Sequence, residues 1–288
     1  MDWDEKEEWR QKFLTVLAGF RLLDDDFMTV VFQDSLECVD LVLQIILNKP
    51  NIKATKAITQ DTLKNLQGRS VRLDIHAFAD GKEFNIEIQR AEKGAAERRA
   101  RYHSSIMDAN VLLAGEDYEN LPESYVIFIT ETDVLGDGQP MYMVRRMIEG
   151  SNKTFGDGSH IIYINSSMAG QDTPLGKLMH DFRCTQAEDM YYAVLAERVR
   201  YFKENEKGVA VMCRAMEMLT NEAERRGMER GMERGMERGM ERGMERGKET
   251  ERIFSIRSLM ANLQLTAEKA MDALAIPKAE QERYKAML

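Results

Sequence analysis

Cysteine is scarce in this chain: Cys38, Cys184 and Cys213 stand far apart, odd in number and without a CxxC pair. That excludes a disulfide framework and a thiolate zinc site, and reads as buried thiols in a reducing compartment. A long apolar run is also missing. The most apolar helical stretch, Leu36 to Leu47, has 12 residues and includes Glu37 and Asp40, too short and too charged to span a bilayer. The opening MDWDEKEEWR is acidic where a secretory signal would be basic and then apolar. A cytoplasmic protein without membrane association is expected. Neither GxxxxGK[ST] nor GxSxG occurs, which leaves a phosphate-cradling loop and a Ser-His-Asp hydrolase without support. Positive charge is in deficit, with 40 Lys and Arg against 49 Asp and Glu and a net charge of −9. This excludes a generally basic coat for nucleic acid and leaves room for a local basic patch.

What remains is 288 residues, 43% hydrophobic and 31% charged, enough for one sizeable core and an appendage. Residues 1–20 read as an amphipathic leader helix, with Trp9, Phe13, Val16, Leu17 and Phe20 at helical spacing. After the acidic break Asp24-Asp25-Asp26, a short helix is expected over Phe27 to Phe32 and another from Asp34 to Leu47. Ile52 to Gln60 alternates weakly, as a strand would. Ala95 to Leu113 is helical, SYVIFIT (124–130) and HIIYIN (160–165) read as strands buried on both faces, and helices follow from Leu175 to Leu219. The order describes an α/β fold around a mixed sheet.

Between residues 221 and 252 the text is dominated by GMER, five times over from Gly227 to Arg246. Each repeat carries its Met about 40° around a helix axis, so no straight apolar seam forms. A helical spacer is expected, with right-handed winding if a regular coil forms. The small C-terminal segment 253–288 places Thr266 as an N-cap and Pro277 between two helical pieces.

The stretch Ser70 to Arg90, SVRLDIHAFADGKEFNIEIQR, carries the chemistry. Asp80-Gly81 between two alternating runs signals a β-hairpin whose paired residues sum to 161. Alternation then puts Val71, Leu73, Ile75, Ala77, Phe84, Ile86 and Ile88 on one face. The other face takes Arg72, Asp74, His76, Phe78, Glu83, Asn85, Glu87 and Gln89. Asp74 falls opposite Glu87, with Cβ atoms about 5 Å apart. Two carboxylates so close repel unless a proton or cation lies between them. Hard cations such as Mg²⁺ take one or two carboxylates and leave the remaining sites to water and phosphate oxygens.

An acid on a helix, an Asp on a strand and Glu-x-Gln on the next resemble the PD-(D/E)XK nucleases. More narrowly the chain is similar to the bacterial PD-(D/E)XK nuclease family transposases, or Rpn-like recombination-promoting nucleases. The matching text is DDDFMTVVFQDSLECVDLVLQIIL (24–47), LQGRSVRLDIHAFADGKEFNIEIQRAEKGAAERRARYHSSIMDA (66–109), LPESYVIFITETDVLGDGQPMY (121–142) and FGDGSHIIYIN (155–165). The resemblance implies a restriction-endonuclease-like domain over 21–220, with a mixed sheet flanked by helices and a C-terminal helical extension. It further implies Mg²⁺-dependent DNA endonuclease activity, with Mn²⁺ as an alternative ion, and a place in recombination.

By position, Asp74 and Glu87 would be metal ligands, with the Ile88 carbonyl as a third. Gln89 stands where the superfamily usually has Lys, and Gln can orient and hydrogen-bond but carries no charge. Pairing suggests that Arg72, facing Gln89, supplies the cation. Glu37 would be the helix-borne acid; Asp34-Ser35-Leu36-Glu37 fits a capping box equally well. Arg90, Lys93, Arg98, Arg99 and Arg101, with Tyr102 and His103 beside them, would hold DNA phosphates. His76 shares the polar face and reads as a neighbour of the site or a surface residue more readily than as a base. The alternative reading is a catalytically decayed nuclease fold acting as an interaction protein through its helical tail. That tail could also make the chain a homo-oligomer.

Overall fold

Asp80 and Gly81 both take positive φ, 51° and 71°, the pair of left-handed residues that a type I′ turn requires. They close a two-residue loop with Ala79 opposite Lys82. The computed structural model describes residues 3–65 and 68–288, apart from the side chains of 3–7, 9, 92, 93, 219, 222, 223, 226 and 230. The turn joins β2 (Val71–Ala79) to β3 (Lys82–Gln89), with β1 (Ala54–Leu63) antiparallel on the far side of β2. From β3 the chain passes through helix α4 (Glu97–Val111) into β4 (Ser124–Thr130), which lies parallel to β3. Strand β5 (Met141–Val144) and the small hairpin β6 (Met147–Ile148) and β7 (Lys153–Thr154) precede β8 (Ser159–Asn165). The result is a six-stranded mixed sheet of order β1-β2-β3-β4-β8-β5, with β8 parallel to β4 and β5 antiparallel to β8. Strand β5 carries no sequence signal: it is four residues long, half-exposed and at the sheet edge.

Both faces of the sheet are covered. In β4, Ile127 and Ile129 enter one core, while Val126 and Phe128 enter another, as strict alternation requires of a strand buried on two sides. The larger core receives α1 (Trp3–Ala18), α2 (Asp25–Phe32), α3 (Leu36–Leu47), α5 (Pro174–Arg183) and α6 (Ala193–Glu204). Phe13 and Leu17 of α1 are buried in it, so the leader helix belongs to the domain. The smaller core is built on α4 through Ala100, Ile106 and Met107. Cys38 is buried as expected, but Cys184 and Cys213 are only half-buried.

The chain divides into two compact units, Met1–Leu219 and Thr220–Leu288. In the second, the last part of α7 (Glu206–Leu263), α8 (Ala267–Ala273) and α9 (Lys278–Lys285) enclose a small core of Ile256, Ala270, Met271, Ile276 and Tyr284. Thr266 caps α8, accepting from Lys269 N at 3.4 Å. No helix among the described residues is long and apolar enough to cross a membrane.

Candidate metal centre

Strand β2 slips phase at Asp74. Val71 and Leu73 lie in the α4-side core, whereas Ile75, Ala77 and Ala79 lie in the opposite one. An unbroken strand would send all five to one face, so the single-face pattern expected from alternation holds only beyond Asp74. Opposite the slip, Gln60 of β1 takes φ 55°, and Gln60 and Asp74 do not pair although their neighbours on both sides do. The β2–β3 ladder likewise ends at Ile75↔Ile86. Side chains fill the gap that opens. Asp74 N donates to Glu87 Oε1 at 3.3 Å, and Ile88 N donates to Asp74 Oδ2 at 2.8 Å. Two carboxylates thus replace ladder carbonyls as acceptors.

The cost is electrostatic. Glu87 is 0% exposed and Asp74 7%. Burial, then the charges of Glu87 and Asp25, push the Asp74 carboxyl up to about 8. Burial also raises Glu87, against the pull of the Arg99 guanidinium. Among the described residues Asp74 Oδ1 accepts no hydrogen bond, which leaves a hard oxygen donor unclaimed beside a second carboxylate. This donor set fits a divalent cation that keeps other sites for phosphate and water. Among the described residues, one trio of His, Cys or acidic ligands lies within mutual reach: His180, Asp181 and Cys184. There both Asp181 oxygens accept backbone N–H groups, of Tyr191 and Tyr192 at 2.8 Å each. Burial lifts the Cys184 thiol to about 11, so that trio ties a loop.

A cation does stand beside Gln89, and it comes from α4. Arg99 Nη2 donates to Glu87 Oε2 at 2.8 Å, and Nη1 donates to Gln89 Oε1 at 3.3 Å and to Gly94 O at 2.9 Å. Its Nε donates to His103 Nε2 at 3.2 Å. Burial, with help from the charges of Arg99 and Arg69, lowers His103 to about 4, so the ring accepts from Arg99 without adding charge. Gln89 lies against Gly94, where an added Cβ would fall 2.0 Å from Gln89 Oε1. With the 3₁₀ turn Glu92–Ala95 closed over it, Gln89 keeps this position because residue 94 has no side chain; a Cβ there would displace its amide. His76 is engaged elsewhere: its two ring nitrogens lie 2.7 Å from Asp61 Oδ2 and 2.7 Å from Glu83 Oε1. Burial disfavours the charged ring, but these two carboxylates outweigh it and raise its pKa.

Two facing acids in a broken ladder, the second of them opening Glu-x-Gln, agree with the comparison of the sequence with family models. The model described as PD-(D/E)XK nuclease family transposase matches residues 38–234. The chain belongs to that family. Comparisons with curated proteins and with solved structures return no match. A nuclease of this family implies DNA as substrate and a divalent metal ion as cofactor. The six-stranded mixed sheet with its flanking helices is consistent with the PD-(D/E)XK fold.

Within the family frame, the sequence expectations divide. Asp74, Glu87, Ile88 and Gln89 are brought together as described. Arg72 is not brought to Gln89: the slip turns it the other way, opposite Thr62 of β1 and exposed, where its charge only partly offsets the burial and the Asp25 charge that raise the pKa of Asp26 on α2. Arg72→Ala should therefore cleave at close to the parent rate, a change checked by plasmid nicking kinetics. A tenfold loss would show that Arg72 reaches the substrate.

Glu37 does not form a capping box. Asp34 takes φ 55°, α3 begins at Leu36 with Ser35 at its N-cap, and Glu37 is exposed. The helix-borne acid whose charge reaches both Asp74 and Glu87 is Asp25 of α2, held by Gln60 Nε2 at 2.9 Å. In the sequence the Asp24-Asp25-Asp26 run reads as a break, whereas acids also favour the first turn of a helix, and Asp25 and Asp26 open α2.

Among the basic residues, Arg90 is tied to Asp24 at 2.7 Å and Glu131 at 3.1 Å. Arg98 and Arg101 are exposed on α4 with no ion pair among the described residues. The Lys93 side chain lies outside the described residues.

Proposed function

We propose that the chain is a metal-dependent endodeoxyribonuclease that hydrolyses DNA phosphodiester bonds in the cytoplasm and serves recombination. Mg²⁺ is the working ion and Mn²⁺ an alternative, held by Asp74, Glu87 and the Ile88 carbonyl. The observation that carries the reading is the buried Asp74–Glu87 pair, whose mutual repulsion a cation relieves. When bound, such an ion supplies Lewis acidity at the phosphate and a nucleophile at neutral pH.

The chain's own residues do the rest. Arg99 offers fixed positive charge where the superfamily usually has Lys, and Gln89 and Gly94 O hold its fork in place. Asp25 adds the helix-borne acid. Arg98 and Arg101 are free to pair with flanking phosphates, which position a duplex without reading its sequence; Lys93 is assigned there by sequence alone. The helical tail serves as a spacer and as the contact of a homo-oligomer.

The test is supercoiled plasmid incubated with the purified chain. Nicked or linear product is expected with Mg²⁺ or Mn²⁺ and none with EDTA. The rival, a decayed nuclease fold acting as an interaction protein, rests on the neutral Gln89. A folded protein that cuts with neither ion would overturn the nuclease reading and leave this rival standing.

A further inference from the structure

The five GMER repeats are helical in the structure and present a face that is exposed among the described residues. Met228, Met232, Met236, Met240 and Met244 are 71%, 66%, 74%, 68% and 55% exposed within α7. Beside them a Cβ built on Gly227, Gly231, Gly235, Gly239 or Gly243 would meet nothing within 4 Å. Successive residues of an α-helix are about 100° apart, so around the axis the order is Gly, Met, Glu, Arg. Each type forms its own i, i+4 row. The Met row is a ridge, and the Gly row next to it is a groove of the same pitch.

We propose that this face is the contact with a second copy of the chain, the two repeats running parallel with the Met ridge of each in the Gly groove of the other. The proposal deepens the homo-oligomer reading above and is independent of the nuclease chemistry. Ridges along i, i+4 rows are inclined about −26° to the axis, so two of them align where the helices cross locally at about −50°, and winding of the pair around a common axis carries that contact along all the repeats. A four-residue period also favours right-handed winding. Geometry and period agree on the hand.

Charge settles the direction. Across the contact face the order is Arg, Gly, Met, Glu. A two-fold axis along the helices reverses that order in the partner, so Met lies over Gly and Glu over Arg. Glu233, Glu237, Glu241 and Glu245 of each copy then flank Arg234, Arg238, Arg242 and Arg246 of the other. A two-fold axis across the helices keeps the order, and sets Glu on Glu and Arg on Arg. Only the parallel pair is complementary at its edges, and like charges in register suppress the other.

Sedimentation of the full chain should give twice 33.1 kDa at micromolar concentration. Met232→Glu with Met236→Glu and Met240→Glu keeps helix propensity nearly unchanged. This variant should sediment as a monomer, its dimerisation weakened at least ~10-fold, with the circular dichroism of the parent. Direction is read with Met244→Cys in a chain carrying Cys184→Ser and Cys213→Ser. Parallel copies should oxidise to a disulfide-linked dimer, whereas antiparallel copies hold the two sulfurs about 22 Å apart. A monomeric parent, a dimer indifferent to the three Met changes, or a dimer that fails to cross-link would each overturn the proposal. None of these readouts needs cleavage, so they stand or fall apart from the nuclease reading.

Discussion

Asp74→Asn should abolish metal-dependent cleavage and, in metal-free protein at pH 8, raise the melting temperature. Burial and the neighbouring charges of Glu87 and Asp25 keep the Asp74 proton bound well above the ordinary carboxylate range. A group with a raised folded pKa contributes stability fully at low pH. That contribution is lost as pH climbs from the ordinary carboxylate range toward about 8. The metal-free parent should therefore lose stability over that window. Asn keeps an oxygen to accept from Ile88 N but has nothing to ionise, so the variant should not lose it. At pH 8 the gain is expected to be at least ~5 °C, and at pH 4 about zero. Added Mg²⁺ should raise the parent's melting temperature more at pH 8 than at pH 5, and leave the variant unmoved. Scanning calorimetry with and without the ion measures both. A variant that cuts at the parent rate, or that still responds to Mg²⁺, would remove Asp74 from the site.

The second large effect is expected at Arg99. Charge accumulates on phosphate during displacement, and Gln89 cannot offset it; the guanidinium 3.3 Å from Gln89 and 2.8 Å from Glu87 can. Arg99→Ala should slow cleavage by at least ~10²-fold, comparable to losing one transition-state donor. Binding of uncleaved DNA should change far less, since Arg98 and Arg101 remain. Gln89→Lys in the Arg99→Ala background should recover part of the rate by restoring a cation on β3. Single-turnover kinetics beside a binding titration separate the two effects. An Arg99→Ala enzyme that binds weakly but turns over at the parent rate would make Arg99 a phosphate contact only.

Much of this was legible in the residues. Asp80-Gly81 specified the turn, the turn specified the register, and the register placed Asp74 near Glu87. The slip at Asp74 was not legible. Leu73 and Ile75 are both apolar, and in a sheet covered on both faces an apolar side chain suits either side, so nothing in VRLDIHAFA marks the change of phase. Arg72 was misplaced for that reason alone. Arg99 was visible only as one arginine among several, because what singles it out is the reach of its guanidinium from α4 to Glu87 and Gln89 on β3. Asp25 was hidden by ambiguity, since a run of acids reads as a break and as a helix start alike.

Gly94 carries a consequence for how this sequence can change. Its missing side chain leaves the room that Gln89 occupies, so residues 89 and 94 do not vary independently. A side chain gained at 94 is tolerated only after residue 89 shortens or turns away, and that withdraws a hydrogen bond from Arg99. A lysine at 89 would occupy the same slot beside Gly94. The two positions, five residues apart on different elements, therefore form one heritable unit, and a path that alters the first decides which steps remain open to the second.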